Sequence, residues 1–329
     1  MLISRTPFRI SFFGGGTDFE DYFKVHGGCI LSTTIDKYCY INWRDLPALF
    51  SYRNQFSYSK IERFNEPDEV EHPVIREAFR YYKIDRVQIA YDADLPARSG
   101  LGASSSFSVG LINSYYRYIG QTPDKMTLAK EAIYLERVLC REAGGVQDQL
   151  AAAFGGLNKM TFGPDGYEVK PVNIGPDRKR ALNKNLMLFF TGFTRLSDEI
   201  ARDQKQNIPK RLGELNEMKA LTDEAEKILV GQGDLVPFGN LLNKTWELKR
   251  TLSNKITVDY IDDAYKKALN AGAVGGKLLG AGGGGFLLFY VEEDARQSVM
   301  AALTDFYHIP FKFEDEGSKI IYEGVSNGE

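Results

Sequence analysis

The sequence predicts an α+β fold organised as two domains. Three observations predict it. The chain has 329 residues, about twice the ~150 residues of a typical domain. Residues 1–65 read mostly as strands, whereas later stretches place apolar residues at helical spacing. Neither half alternates strand and helix regularly, which argues against a doubly wound parallel sheet. No internal repeat is visible.

Ile3–Phe13 reads as a strand running into Gly14-Gly15-Gly16. Gly28–Ile35 and Lys37–Arg44 read as two adjacent strands, rich in β-branched and aromatic residues. Residues 49–64 suit a hairpin. In His72–Lys83, Val74, Ile75, Ala78, Phe79 and Tyr82 fall at helical spacing. Val87–Leu95 alternates as a strand and ends at Pro96 and a glycine-serine turn. Helices follow at Ser104–Ile119 and Pro123–Arg141, the second started by Thr122-Pro123. Gly144-Gly145 breaks that helix, Val146–Phe154 forms a short one, and Leu157–Phe162 returns as a strand. Residues 163–185 are rich in Gly, Pro, Asp and Lys, and the domain boundary is expected there, giving domains 1–170 and 171–329. The run Arg178-Lys179-Arg180 is read as part of this solvated connector. Beyond it come a strand at Leu186–Thr191 and helices near 195–207, 211–230, 235–252 and 258–270. Strands at 273–279 and 285–291 flank a glycine run. A helix over Glu293–Tyr307 and strands at 309–314 and 319–323 close the chain.

Composition excludes several function classes. Lys and Arg total 41 against 44 Asp and Glu, so no basic excess points to nucleic acid or an anionic membrane surface. Only three histidines occur, His26, His72 and His308, none at zinc-ligand spacing or beside a nucleophile. A Ser-His-Asp hydrolase and a histidine metal site are thereby disfavoured. Cys29, Cys39 and Cys140 lie outside any C-x-x-C pattern, as expected of reduced thiols in a cytoplasmic protein. Arg5 and Arg9 interrupt the N-terminal apolar segment, so no signal peptide is expected. No stretch approaches the ~18 apolar residues of a membrane span.

Glycine is the anomaly. The chain holds 32, where an average composition of about 7% gives about 23. Windows 14–16, 100–102, 144–156 and 272–285 hold 17 of them, so the excess is positional.

The most informative window is Leu95-Pro96-Ala97-Arg98-Ser99-Gly100-Leu101-Gly102-Ala103-Ser104-Ser105-Ser106. It lies between an expected strand and an expected helix. Glycines let backbone approach a ligand closely. The helix start offers unpaired N–H groups and the positive end of a dipole. A plain N-cap accounts for one serine, but not for Gly-x-Gly followed by three. Gly100, Leu101, Gly102, Ala103, Ser104, Ser105 and Ser106 are therefore read as a phosphate loop. Other phosphate motifs fail. No Walker sequence occurs, and Lys277 is followed by Leu278. Gly280, Gly282 and Gly285 match G-x-G-x-x-G, but Phe286–Val291 reads as a strand where a dinucleotide fold needs a helix.

Phosphoryl transfer also needs a magnesium site and a base. Glu136 sits mid-helix among apolar residues, and Asp148 sits in Gly144-Gly145-Val146-Gln147-Asp148-Gln149. Taken alone, each has an ordinary reading, Glu136 as an exposed helix charge and Asp148 as a dipole-complementing first-turn acid. Beside the serine loop they read as a set. Glu136 would hold Mg2+ with Ser104, and Asp148 would take the proton of an attacking hydroxyl.

Here the chain resembles the GHMP small-molecule kinases (galactokinase, homoserine, mevalonate and phosphomevalonate kinases). Three motifs carry the resemblance in family order: Arg5–Asp18, Pro96–Ser106 and Lys277–Gly285. The resemblance implies an N-terminal mixed β/α domain with the phosphate loop and a C-terminal ferredoxin-like domain with extra helices. It implies ATP as phosphoryl donor and an active site between the domains. By matching position it makes Asp148 the catalytic aspartate, Glu136 and Ser104 the Mg2+ ligands, and Arg9 the basic residue that steadies the reacting groups. The family loop commonly reads Gly-Ser-Ser-Ala-Ala; Gly102-Ala103-Ser104-Ser105-Ser106 keeps the ligating serine and loses the hydroxyl before it.

The first motif narrows the substrate. Galactokinases carry Gly-Glu-His-Thr-Asp where this chain has Gly14-Gly15-Gly16-Thr17-Asp18. Gly15 and Gly16 remove two bulky side chains, while Thr17 and Asp18 keep groups suited to sugar hydroxyls. Arg5–Phe19 resembles the D-glycero-D-manno-heptose 7-phosphate kinases of bacterial surface-sugar synthesis, as does Thr191–Ser197. The implied reaction is phosphorylation of the anomeric hydroxyl of a sugar phosphate. Gly15, Gly16, Thr17, Asp18, Gly283 and Gly284 are the expected sugar contacts, with Arg98 and Arg195 as candidates for its phosphate. Rival readings are a kinase for another sugar such as fucose, or a catalytically silent sugar and ATP sensor. Expected partners are the small molecules alone, with monomer and homodimer both open.

Overall fold

The computed structural model describes residues 1–97, 99–192 and 197–324, the side chains of 197 and 198 apart. The first half contains β1 (Leu2–Phe13), α1 (Glu20–His26), β2 (Gly28–Asp45), β3 (Asn54–Ser57), β4 (Ile61–Phe64), α2 (Pro73–Tyr82) and β5 (Val87–Ala93). It continues with α3 (Ala103–Tyr118), α4 (Lys125–Ile133), α5 (Gln147–Phe154), β6 (Leu157–Gly163) and β7 (Gly166–Pro171). Next come α6 (Pro176–Lys184), β8 (Leu186–Phe190), α7 (Ser197–Asn207), α8 (Leu212–Val230), α9 (Val236–Thr251) and α10 (Asp259–Asn270). The last elements are β9 (Gly275–Leu278), β10 (Phe286–Tyr290), α11 (Arg296–Ala302), β11 (Tyr307–His308), β12 (Phe313–Glu314) and β13 (Lys319–Glu323).

The α+β class holds. One nine-stranded sheet runs β13-β1-β2-β5-β3-β4, with β6 and β12 paired to β2 and β7 to β6; a four-stranded sheet runs β11-β8-β10-β9. Among the described residues every pairing is antiparallel except β3 with β5. After the second sheet, the chain returns to the first: β12 pairs with β2 and β13 with β1.

Three apolar clusters fill the layers. Helices α2–α5 cover one face of the large sheet. A second cluster joins the two sheets, where Phe12 and Phe13 meet Phe238 of α9 edge-on at 5.3 and 5.1 Å between ring centroids. All three rings are fully buried, each contributing about 1.5–3 kcal/mol over its exposed state. The third cluster packs α7–α10 on the small sheet. Among the described residues, no helix is long and apolar enough to cross a membrane.

Four local expectations change. The two strands expected over 28–44 are one. The register slips from Pro7↔Tyr38 to Phe8↔Ile35, and the displaced Asp36 bonds Lys312 through backbone and side chain. Tertiary contact thus holds a bulge in a continuous strand. The expected connector 163–185 holds β7 and α6. Helix α6 buries only Leu182, too little periodicity to see in sequence. Its basic run is structural in part: Arg178 donates to the carbonyls of Ile228, Leu229 and Gly233 at the end of α8. The helix expected to Tyr307 stops at Ala302, because Tyr307 and His308 pair with Phe190 and Phe189 of β8. The helix expected over 123–141 changes to a π-helical segment at Tyr134–Leu139. Such segments recur at functional sites, and this one carries Glu136.

Candidate active site

The site gathers where the ends of β1 and β9 meet the first turns of α3 and α5. Arg9 projects from β1 and is 5% exposed. Its Nε and Nη2 donate to Asp148 Oδ1 and Oδ2 at 2.7 and 2.8 Å, and its Nη1 donates to Gly100 O at 2.6 Å. One guanidinium thus joins the expected base to the expected phosphate loop. The fork of donors suits a carboxylate in two-point contact.

The loop itself has the backbone a bound anion requires. Gly100 and Gly102 have φ of +88° and +75°, open to glycine at little cost. Gly102 caps α3 without any side-chain cap, and the first turn carries no acid. The leading N–H groups of α3 therefore remain available to a ligand. Beside them lies Asp148, for a Cβ placed on Gly102 would stand 3.4 Å from Asp148 Oδ2.

The serines divide their tasks. Ser104 is exposed at the first turn of α3. Ser105 Oγ donates to Glu136 Oε2 at 3.0 Å. Ser106 departs from its expected role: it is buried and donates to Pro7 O at 2.8 Å, tying α3 to β1.

Glu136 is not an exposed helix charge, since it is 1% exposed. Gln149 Nε2 also donates to its Oε2 at 2.7 Å, and Arg137 stands at 3.5 Å. Its Oε1 is buried with no hydrogen-bond partner. Burial pushes its pKa up, opposed by Arg137 and the hydroxyl and amide donors. A buried, unsatisfied carboxylate oxygen beside the start of α3 fits a hard cation with oxygen ligands. It is Ser105, however, that contacts Glu136 directly, while Ser104 is exposed.

Three carboxylates converge on the first turn of α5. Gln147 Nε2 donates to Asp18 Oδ2 at 3.0 Å, Arg9 grips Asp148, and Gln149 holds Glu136. Asp18 also accepts from Gly16 N at 3.0 Å and is buried. Desolvation first, then the charge of Asp148, raises its pKa. Gly145 must lack a side chain, because a Cβ there would fall 1.8 Å from Asp18 Oδ2.

The expected sugar contacts separate. Gly15 has nothing within 4 Å of a notional Cβ, so it opens space. At Gly16 the space is taken by Leu215 and Leu252, at 3.0 and 3.6 Å. Thr17 departs from expectation: its hydroxyl is buried within reach of two acceptors, Gly14 O at 2.8 Å and Cys29 O at 3.0 Å, and accepts from Cys29 N. It shapes the turn. Gly283 and Gly284 are buried, and Gly283 N donates to Ile256 O at 2.8 Å. This glycine run faces the phosphate loop, since a Cβ on Gly285 would lie 2.2 Å from Ser99 O. Arg98 and Arg195 lie outside the described residues.

Two buried lysines were not among the expected site residues, although Lys277 opens the third motif. Lys277 of β9 is 2% exposed and donates to Ser11 O and Phe12 O at 2.9 and 2.8 Å, bridging the two sheets. Lys249 of α9 is 6% exposed and donates to Leu278 O at 2.9 Å and to Gly280 O. Burial, then neighbouring cations, pushes both pKa values down, Lys249 to about 7. A signal for Lys249 existed. It continues the buried stripe Phe238, Leu242, Thr245 and Trp246 at helical spacing.

A kinase-like arrangement is now in view, and family models agree. The model described as GHMP kinases N terminal domain matches residues 70–156, and the one described as GHMP kinases C terminal matches 219–309. The chain belongs to the GHMP kinases. It is an ATP-dependent kinase. A curated relative, D-glycero-alpha-D-manno-heptose 7-phosphate kinase of Campylobacter jejuni, is 29% identical over 96% of this chain and 97% of its own length. The L-fucokinase/L-fucose-1-P guanylyltransferase of Bacteroides fragilis is 31% identical over 65% of this chain, a match spanning 23% of that longer protein. Among solved structures, a D-glycero-D-manno-heptose 1-phosphate kinase from Bacteroides thetaiotaomicron superposes with a TM-score of 0.80, at 26% identity, over 99% of this chain and 100% of that one.

Proposed function

We propose that this kinase transfers the γ-phosphoryl group of ATP to the anomeric hydroxyl of D-glycero-D-manno-heptose 7-phosphate, forming the 1,7-bisphosphate. The observation that carries the chemistry is the Arg9–Asp148 pair lying against Gly102 at the start of α3. The sugar hydroxyl attacks the γ-phosphorus while Asp148 accepts its proton. The bond from the γ-phosphorus to the bridging oxygen breaks, and ADP leaves. Arg9 holds the Asp148 carboxylate in place, and the N–H groups at the start of α3 bind the nucleotide phosphates. Ser104 and Glu136 would hold Mg2+, which when bound neutralises charge on the β- and γ-phosphates. Asp18 and Gln147 offer acceptors for sugar hydroxyls, and Gly15 leaves room beside them. Positioning and fixed charge then supply most of the rate.

The heptose reading draws its support from the full-length similarity to the C. jejuni enzyme. One observation favours a second reading. Beside Gly16 a small niche is lined by Phe19, Ile208, Leu215 and Leu252, with Gln204 and Arg211 at its sides, and its apolar part suits the methyl group of a 6-deoxy sugar such as fucose. Coupled ADP release against heptose 7-phosphate, heptose 1-phosphate, fucose and galactose separates the two. Phosphorus NMR of the product then locates the new ester. Turnover on the heptose 7-phosphate far above the rest supports the proposal; turnover confined to fucose overturns it.

A further inference from the structure

Lys249 stands out as a buried cation whose close polar contacts are carbonyls rather than a carboxylate. Among the described residues its ammonium has no salt-bridge partner, and both hydrogen bonds it makes go to backbone carbonyls, of Leu278 and Gly280. Removing an ammonium from water is costly unless it is paired. The remainder of the buried face of α9 is mostly apolar, so a hydrocarbon side chain would serve packing better.

What the charge holds is specific. The carbonyls belong to the turn that backs the phosphate loop. A Cβ on Gly280 would lie 2.4 Å from Gly100 Cα, and one on Gly100 would lie 2.6 Å from Leu279 O. The two backbones touch, so a shift in one displaces the other. Arg9 Nη1 also holds Gly100 O. The Gly100 turn is therefore held both by Arg9 and by the turn that Lys249 secures.

We propose that Lys249 is a positioning residue for the nucleotide: it pins the Leu278–Gly280 turn against Gly100 and so fixes the loop that receives the ATP phosphates. This rests on the reading of Gly100–Ser104 as the ATP phosphate site, and it does not depend on which sugar is used. Lys249 also interacts with Arg9 and Asp18, so a bound polyanion favours its charged form and relieves the repulsion among the buried cations.

The test is Lys249→Met, which keeps the length and apolar stem and removes the ammonium. Direct titration of ADP and ATP without sugar, thermal denaturation, and separate KM values for ATP and sugar are measured on the full chain. Nucleotide affinity is expected to fall about 10- to 100-fold, with a matching rise in the KM for ATP. The KM for sugar stays within about 3-fold, and the midpoint of denaturation is unchanged or higher because a desolvated charge is gone. A purely structural lysine would show the reverse pattern: a lower melting point and unaltered affinity in the folded fraction. If Lys249→Met does not fold, Lys249→Leu, which likewise removes the donor on a mostly apolar helix face, is measured in the same way. Wild-type protein that binds no ATP overturns the site reading itself. Wild-type protein that binds ATP, with equal affinity in the variant, overturns only the role of Lys249.

Discussion

Arg9 and Asp148 lie 139 positions apart in sequence, yet they are locked side to side by two parallel hydrogen bonds of 2.7 and 2.8 Å. Asp148 is partly exposed and Arg9 buried. The carboxylate is thus held on a fixed support while part of it stays open to solvent. The third Arg9 bond, to Gly100 O, sets the proposed base and the proposed phosphate loop in one frame.

Asp148→Asn keeps the shape and removes the proton acceptor. Turnover should fall about 10²- to 10⁴-fold, the range of general base catalysis. Nucleotide affinity, measured by titration, should change little. A variant retaining near-wild-type turnover would remove Asp148 from the base role.

Glu136→Gln removes a buried charge. Its carboxyl is held above its usual range by burial, so the folded state binds the proton more tightly than the unfolded state. That loss of stability is complete above the folded pKa and disappears as pH falls toward the ordinary carboxylate range. At neutral pH without divalent cations, Glu136→Gln should therefore melt no lower than wild type. Added Mg2+ should raise the melting point of wild type and not that of the variant, and the Mg2+ concentration for half activity should rise about tenfold. An identical Mg2+ response in both proteins would remove Glu136 from the metal site.

Gly15→Ala separates space from strain. A Cβ at Gly15 meets nothing within 4 Å, so stability should stay within about 0.5 kcal/mol. If Gly15 lines the sugar pocket, the KM for sugar rises while the KM for ATP holds. Equal constants in variant and wild type would place the sugar elsewhere.

Lys249 also has a stability consequence with a definite sign. Its folded pKa of about 7 lies below the ordinary 10.5, so between those values the unfolded state binds more protons. Stability contributed by this group rises with pH across that window, and its burial cost is complete below pH 7. Lys249→Met should flatten that part of the stability profile and gain most on the acidic side. Denaturant titrations at pH 6.5 and 9 measure the difference; parallel profiles would contradict it.

Much of the fold was legible locally. The strand-like run Ile3–Phe13, alternation in Val87–Leu95, and apolar spacing in 72–83 and 104–119 announced elements the structure contains. The hairpin within 49–64 was legible for the same reason. Glycine clusters with flanking Ser, Asp and Glu marked Gly100–Ser104, Glu136 and Asp148, because close backbone approach restricts residue type wherever it occurs. Local reading failed where a distant segment decided the outcome. The bulge at Asp36 depends on Lys312, and the strand at Tyr307 depends on β8.

The sequence by itself determined most of the strands and helices, the kinase motifs and the residue types available for phosphoryl transfer. Only the tertiary structure decided their environments. It buried Glu136 with one oxygen unsatisfied, enclosed Thr17 and Ser106 in backbone hydrogen bonds, and placed Lys249 behind Gly100. The reason is physical. Periodicity and turn chemistry are properties of a few neighbouring residues, whereas desolvation and hydrogen-bond partnership depend on what the remainder of the chain packs against each side chain.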